Sequence, residues 1–185
     1  MASLAVHDVV RRRSGGAAVR ALGIDPGSRV TGWGVVEARA GAFRHVASGT
    51  IALGSADPLP DRLARLGREV ARLVDAWEPA TVVLERAFVA RNAQSALRLG
   101  EARGAVLAAL GTLTVALEEY APAAVKLAAV GHGRADKVTV VRGVTLQLRL
   151  EAAPVSDAAD ALALALCHLQ QAPLKRAIAT GARGA

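Results

Sequence analysis

Cysteine is nearly absent from these 185 residues, and Cys167 stands alone. One cysteine cannot close an internal disulfide, so a reducing compartment is expected and a disulfide-stapled fold is excluded. Set in an apolar run, Cys167 reads as a small buried hydrophobe rather than a nucleophile. Aromatics are scarce too: Trp33, Phe43, Trp77, Phe88 and Tyr120 are all there are. The core must therefore be built from Ala, Val and Leu, and an aromatic in a polar setting gains weight. The four histidines (His7, His45, His132 and His168) are scattered without zinc-ligand spacing. No uncharged run is longer than Gly104 to Leu117, short of the ~20 residues that a spanning helix needs. The Arg11-Arg12-Arg13 triplet is followed by Ser14-Gly15-Gly16 rather than an apolar stretch, which is not a secretory signal. A soluble cytoplasmic protein is the expectation.

What is present begins with charge. The net charge is +7, which points toward nucleic acid. Its location weakens that inference. Residues 1–19 carry +2 and residues 172–185 carry +3, leaving +2 for the body. Those end segments read as a flexible basic arm and a flexible basic tail around one domain spanning 20–171.

Within that body, Ala21 to Ile24 reads as a short buried strand ending at Asp25. Thr31 to Glu37 and Phe43 to Leu53 read as the next two strands, joined by turns into an antiparallel meander. Leu63, Leu66, Val70, Leu73, Val74 and Trp77 recur at helical spacing, and Pro79 stops that helix. A strand from Thr81 to Leu84 ends at Glu85. Ala93 to Leu110 reads as a helix and Thr114 to Glu118 as a strand. Ala121 to Val130, Lys137 to Leu150 and Asp157 to Gln171 read as three further helices. Three hairpin-linked strands followed by αβαβ predict an α/β domain of ribonuclease-H-like type, a mixed five-stranded sheet flanked by helices.

Four carboxylates stand in unusual places. Asp25 and Glu85 each follow an apolar strand, and neighbouring strand ends can share one edge of a sheet. Asp157 and Asp160 are three apart at the start of the last helix and share its face. Ser156 reads as the N-cap. Any one of these acids has a plain structural explanation as a turn or cap residue. Asp160 is harder to dismiss, because nearly all its neighbours are apolar and an unpaired buried carboxylate is costly. Four carboxylates without a Cys/His set favour Mg²⁺ or Mn²⁺. Two such ions suit in-line attack on a phosphodiester.

Several long segments then resemble one family. Gly23 to Gly34 (GIDPGSRVTGWG), Glu85 to Leu97 (ERAFVARNAQSAL), Tyr120 to Lys126 (YAPAAVK), Val130 to Gly133 (VGHG) and Asp157 to Ala163 (DAADALA) are similar, in that order, to motifs of bacterial RuvC Holliday-junction resolvases. The resemblance runs from about residue 20 to about residue 170 and leaves out both ends. It implies a homodimer that binds four-way junction DNA and nicks opposed strands with Mg²⁺ or Mn²⁺, alongside the branch-migration proteins RuvA and RuvB. By position it makes Asp25, Glu85, Asp157 and Asp160 the metal-binding catalytic acids. It makes Phe88 a base-stacking ring and places Lys126 and Lys137 near the scissile phosphate. Phe88 lies between Arg86 and Arg91, a setting that suits stacking on a base. Only three of the 23 cationic residues are Lys, and two of those three fall on the family's positions.

There are departures as well. Trp33 stands where a smaller aromatic is expected. Arg86 brings a cation beside Glu85, able to hold a phosphate or to depress the Glu85 pKa. His132 replaces an apolar residue. Gly100 and Gly104 would let a helix pack closely, inside the fold or across a dimer. Two other functions remain open at this point. One is a junction-binding protein without cleavage. The other is an actin-like or sugar-kinase-like ATPase, disfavoured because 185 residues leave no room for the second domain such enzymes need.

Overall fold

The structure, a computed structural model, describes residues 18–54, 56–86 and 93–181, with side chains as far as residue 173. Strands β1 (Val19–Asp25), β2 (Val30–Arg39) and β3 (Ala42–Ala52) form the expected meander. Helix α1 (Leu59–Trp77) leads to β4 (Thr81–Glu85), and α2 (Ala93–Leu110) leads to β5 (Ala116–Tyr120). The chain continues through α3 (Pro122–Val130) and α4 (Lys137–Gln147) into the long α5 (Ser156–Gly181). The sheet order is β3-β2-β1-β4-β5, with β4 and β5 parallel to β1. This is the mixed five-stranded arrangement the sequence predicts.

The period of two along the strands divides the core into two halves. Leu22, Ile24, Val35, Val82 and Leu84 face α1 and α2, where Leu66, Val70, Ala102 and Val106 close over them. Ala21, Val36 and Val83 face the other way, into a cluster with Val125, Val144, Leu162 and Leu166 from α3, α4 and α5. The β1–β2 sheet presents glycine to α5 on that second face. A Cβ added at Gly23 would overlap the Ala161 carbonyl, and one at Gly32 would overlap the Asp157 carbonyl. At Gly34 a Cβ would come within 2.7 Å of the Leu162 side chain. Alanines 158, 159, 161, 163 and 165 complete the close approach, all of them buried. A long helix thus lies almost directly on the backbone of β1 and β2, and its first turn is fixed against the sheet.

Several boundaries differ from expectation, each for a physical reason. β5 begins two residues late, because Thr112 and Leu113 bond back to the carbonyls of Ala109 and Leu110 and finish α2 instead. The β-branched run there mimics a strand start. α1 ends at Trp77 with Glu78 in the left-handed region (φ 44°), one residue before Pro79. α4 stops at Gln147, where Leu148 caps it and Arg149 turns the chain (φ 51°). α5 does not stop at Gln171. It continues past Pro173 to Gly181, so residues 172–181 are helical rather than a flexible tail. Ser156 is the first helical residue, not the cap, since the Ala159 N–H donates to the Val155 carbonyl. The arm at residues 1–17, together with Phe88 and Arg91, lies outside the described residues.

Candidate active site

Asp25 and Glu85 end two strands that run side by side. β1 and β4 are parallel, with Ile24 opposite Leu84 in the ladder, so the two acids follow in step. Asp157 and Asp160 arrive from the opposite direction. The close contact of Gly32 with the Asp157 carbonyl sets the first turn of α5 beside β2, and Gly32 itself pairs with Asp25. Three separate segments therefore deliver four carboxylates to one end of the sheet.

The acids also influence one another electrostatically. Burial pushes the Asp25 carboxyl up to about 7, aided by repulsion from Asp160, Glu85 and Asp157. Glu85 is raised by burial and by Asp160, against the pull of Lys126 and Lys137. Asp160 is raised by burial, while Lys137 works against that rise. The Lys137 ammonium lies 3.4 Å from Asp160 Oδ2, and this carboxylate holds the lysine above its usual range. Lys137 is thus held as a cation beside Asp160. Lys126 and Lys137, the two lysines singled out in the sequence, both act on this cluster.

Arg86 is exposed, and it is not among the cations that act on Glu85, whose carboxyl is raised rather than depressed. The expected lowering by Arg86 is therefore corrected: Lys126 and Lys137 are the opposing cations. His132 is exposed in the α3–α4 loop. His168 is buried against Tyr120, whose hydroxyl lies 3.1 Å from Nδ1. Trp33 packs in the half of the core that faces α1 and α2, with Gly49 leaving room for its ring.

The chain matches the family model for crossover junction endodeoxyribonuclease RuvC over residues 21–168. It belongs to the RuvC family. The RuvC of Alkalilimnicola ehrlichii is 51% identical over 156 residues, covering 84% of this chain and 94% of that protein. The RuvC of Halorhodospira halophila is 49% identical over 166 residues, 89% of this chain and 98% of its own. Among solved structures, Thermus thermophilus RuvC superposes with a TM-score of 0.76 at 34% identity, covering 85% of this chain and 97% of that one. The same fold is present in a T. thermophilus RuvC in complex with a Holliday junction substrate, at a TM-score of 0.75 and 32% identity.

By donor chemistry, the acids of this RuvC-family chain fit a hard divalent cation. They are carboxylates only, partly desolvated and mutually repelling, and that arrangement costs free energy unless positive charge enters. Among the described residues, no three His, Cys, Asp or Glu side chains are already drawn together tightly enough to hold a metal ion. The Asp160 carboxylate is instead turned to Lys137.

Two supporting contacts escaped the sequence reading. Arg62 of α1 donates from Nη2 to the Ser28 carbonyl at 2.5 Å, bracing the loop that follows Asp25. Arg103 of α2 donates from Nη1 to the Glu85 carbonyl at 2.8 Å. Both arginines lie on helix faces, where local pattern offers no clue to a carbonyl partner far along the chain.

The raised carboxyls have a consequence for stability. Asp25 has a folded pKa of about 7 against an ordinary 3.8. Below 3.8 both folded and unfolded chains hold its proton. Between 3.8 and 7 only the folded chain does, so stability falls as pH rises through that window. The loss is bounded at about 4 kcal/mol. We expect metal-stripped protein to melt lower at pH 8 than at pH 5, and Asp25→Asn to flatten that slope. Comparing the two slopes cancels His45, which burial lowers and which acts in the opposite sense. Parallel slopes in scanning calorimetry would mean that Asp25 is well solvated.

Proposed function

We propose that this chain resolves four-way DNA junctions by metal-dependent phosphodiester hydrolysis, nicking two opposed strands during recombination and repair. The observation that carries this reading is the convergence of Asp25, Glu85, Asp157 and Asp160 beside Lys126 and Lys137 in a chain of the RuvC family.

Asp25, Glu85, Asp157 and Asp160 would hold the ions, Mg²⁺ or Mn²⁺ and two per site. When bound, such ions activate water and stabilise the leaving oxygen. The chain's own groups supply the rest. Lys137, kept protonated by Asp160, and Lys126 offset the carboxylates' charge and favour approach of a phosphate. A water oxygen joins phosphorus as the bond to the leaving sugar oxygen breaks, and that oxygen departs with a proton. Phe88 is proposed to stack on a junction base, with Arg86 and Arg91 holding nearby phosphates.

A homodimer would present two such sites to opposed strands. The outer face of α2 suits that role, since among the described residues nothing lies within 4 Å of a Cβ built at Gly100 or Gly104. Neither glycine packs against another described residue, and Leu97 on the same face is 64% exposed. RuvA and RuvB are proposed partners on family membership alone. Among the described residues, no helix is long and apolar enough to cross a membrane, and a cytoplasmic location accords with chromosomal substrates. We propose a single domain that begins near residue 20 and extends through α5 to Gly181.

The deciding experiment incubates purified protein with mobile and fixed synthetic junctions across a Mg²⁺ and Mn²⁺ series and maps the nicks. Paired nicks at symmetric positions are expected, with none in chelator. Tight binding without nicking at any metal concentration would favour a junction-binding protein instead.

A further inference from the structure

We propose that Arg103 is a positioning residue that sets the place of the Glu85 carboxylate by gripping that residue's main chain. The inference rests on the reading of Glu85 as a catalytic acid and adds a residue outside the acidic cluster. Glu85 is the last residue of β4, where strand pairing ends. A strand end is held less firmly than its middle, because fewer ladder bonds remain to fix it. Two main-chain contacts compensate here. The Arg86 N–H donates to the Tyr120 carbonyl at 2.7 Å. The Arg103 guanidinium, only 17% exposed, donates through Nη1 to the Glu85 carbonyl at 2.8 Å and through Nη2 to the Glu119 carboxylate.

One planar fork therefore ties three elements at the point where Glu85 emerges: α2, the end of β4 and the end of β5. The cations that act on the Glu85 carboxyl itself are Lys126 and Lys137. Arg103 works instead by fixing the backbone from which that carboxyl projects. Lysine cannot reproduce the arrangement, since an ammonium is a point charge and cannot span two acceptors in fork geometry. Arg103 also neighbours Gly104, on the helix face proposed to meet a second subunit, so a shift of α2 would reach Glu85 through this contact.

The test uses the full-length protein, single-turnover cleavage of a four-way junction over a Mn²⁺ series, and junction binding without metal. Arg103→Lys should slow cleavage by about 10- to 100-fold, as small misplacements of catalytic groups do. It should also raise the Mn²⁺ concentration for half-maximal rate several-fold and leave binding within about twofold. Glu119→Gln keeps the grip on the Glu85 carbonyl and should stay within about threefold of wild type. An Arg103→Lys protein with the wild-type rate and metal curve would overturn the proposal. So would Glu119→Gln matching Arg103→Lys, because the ion pair would then account for both. If Arg103→Lys melts too low to assay, Arg103→Gln is judged by the same two readouts. Glu85→Gln should be inactive. Full activity in that variant would instead remove Glu85 from the chemistry, a failure separable from that of Arg103.

Discussion

Asp160→Asn is expected to abolish cleavage, by about a thousandfold or more, while junction binding persists. The substitution is nearly isosteric, so the packing of α5 on the sheet should survive. What goes is one negative charge from a cluster where it acts on three neighbours. Asp160 raises the carboxyls of Asp25 and Glu85 and pairs with Lys137. In the proposed role of Asp160 as a ligand, its loss removes part of a metal's stabilisation of the transition state, a term worth several kcal/mol. At about 1.4 kcal/mol per factor of ten, 4 kcal/mol is close to a thousandfold. Affinity for DNA comes chiefly from phosphate contacts with cations. Removing an acid should leave it unchanged or strengthen it, the more so because Lys137 loses its carboxylate partner. A second readout follows from the repulsion: the Asp25 carboxyl should fall from about 7 toward its ordinary range. Cleavage within about tenfold of wild type at saturating Mn²⁺ would take Asp160 out of the mechanism.

The sheet and the acids were legible in the sequence because both are written in local pattern. Apolar strands ending in Asp25 and Glu85, and the i,i+3 pair at Asp157 and Asp160, need only strand and helix periodicity to be placed. The sequence did not show what holds those acids in place. Arg62 to Ser28 and Arg103 to Glu85 are contacts between a helix side chain and a remote carbonyl, 34 and 18 residues apart. Nothing in the periodicity of α1 or α2 marks one exposed-looking arginine from another. The pairing of Lys137 with Asp160 is similar, since α4 and α5 meet only through tertiary packing. Arg86 illustrates the reverse error. Adjacency along the chain placed a cation next to Glu85, but Arg86 is exposed, and the cations that offset the Glu85 carboxyl come from α3 and α4. α5 is longer than the expected Asp157 to Gln171 and contains Pro173. The helix runs through it, losing a backbone hydrogen bond at that point.

Gly32→Ala should be nearly as damaging as loss of an acid, although Gly32 carries no chemistry. Its Cβ would overlap the Asp157 carbonyl and crowd the main chain behind it. Backbone cannot swing aside as a flexible side chain can, so the first turn of α5 must lift from β2. That turn carries Asp157 and leads directly to Asp160, while Gly32 is paired with Asp25 across the β1–β2 ladder. One methyl group would thus drive apart the acids that arrive from opposite sides. Overpacking of this kind costs about 1–3 kcal/mol or more, and displacement of catalytic groups by about 1 Å can cost a hundredfold in rate. We expect both a lowered melting temperature and cleavage reduced at least a hundredfold per folded molecule. Two other glycines separate these effects. Gly34→Ala meets buried Leu162, its side chain at 2.7 Å and its backbone nitrogen at 3.0 Å, more than a turn beyond Asp157, and should destabilise while retaining more cleavage. Gly67→Ala, in the middle of α1, finds the Ala109 methyl at an ordinary 3.6 Å and should stabilise the helix by up to about 1 kcal/mol. If Gly32→Ala melts and cleaves like wild type, α5 can retreat from the sheet without moving its acids, and contact between helix backbone and glycine would not be what assembles the site.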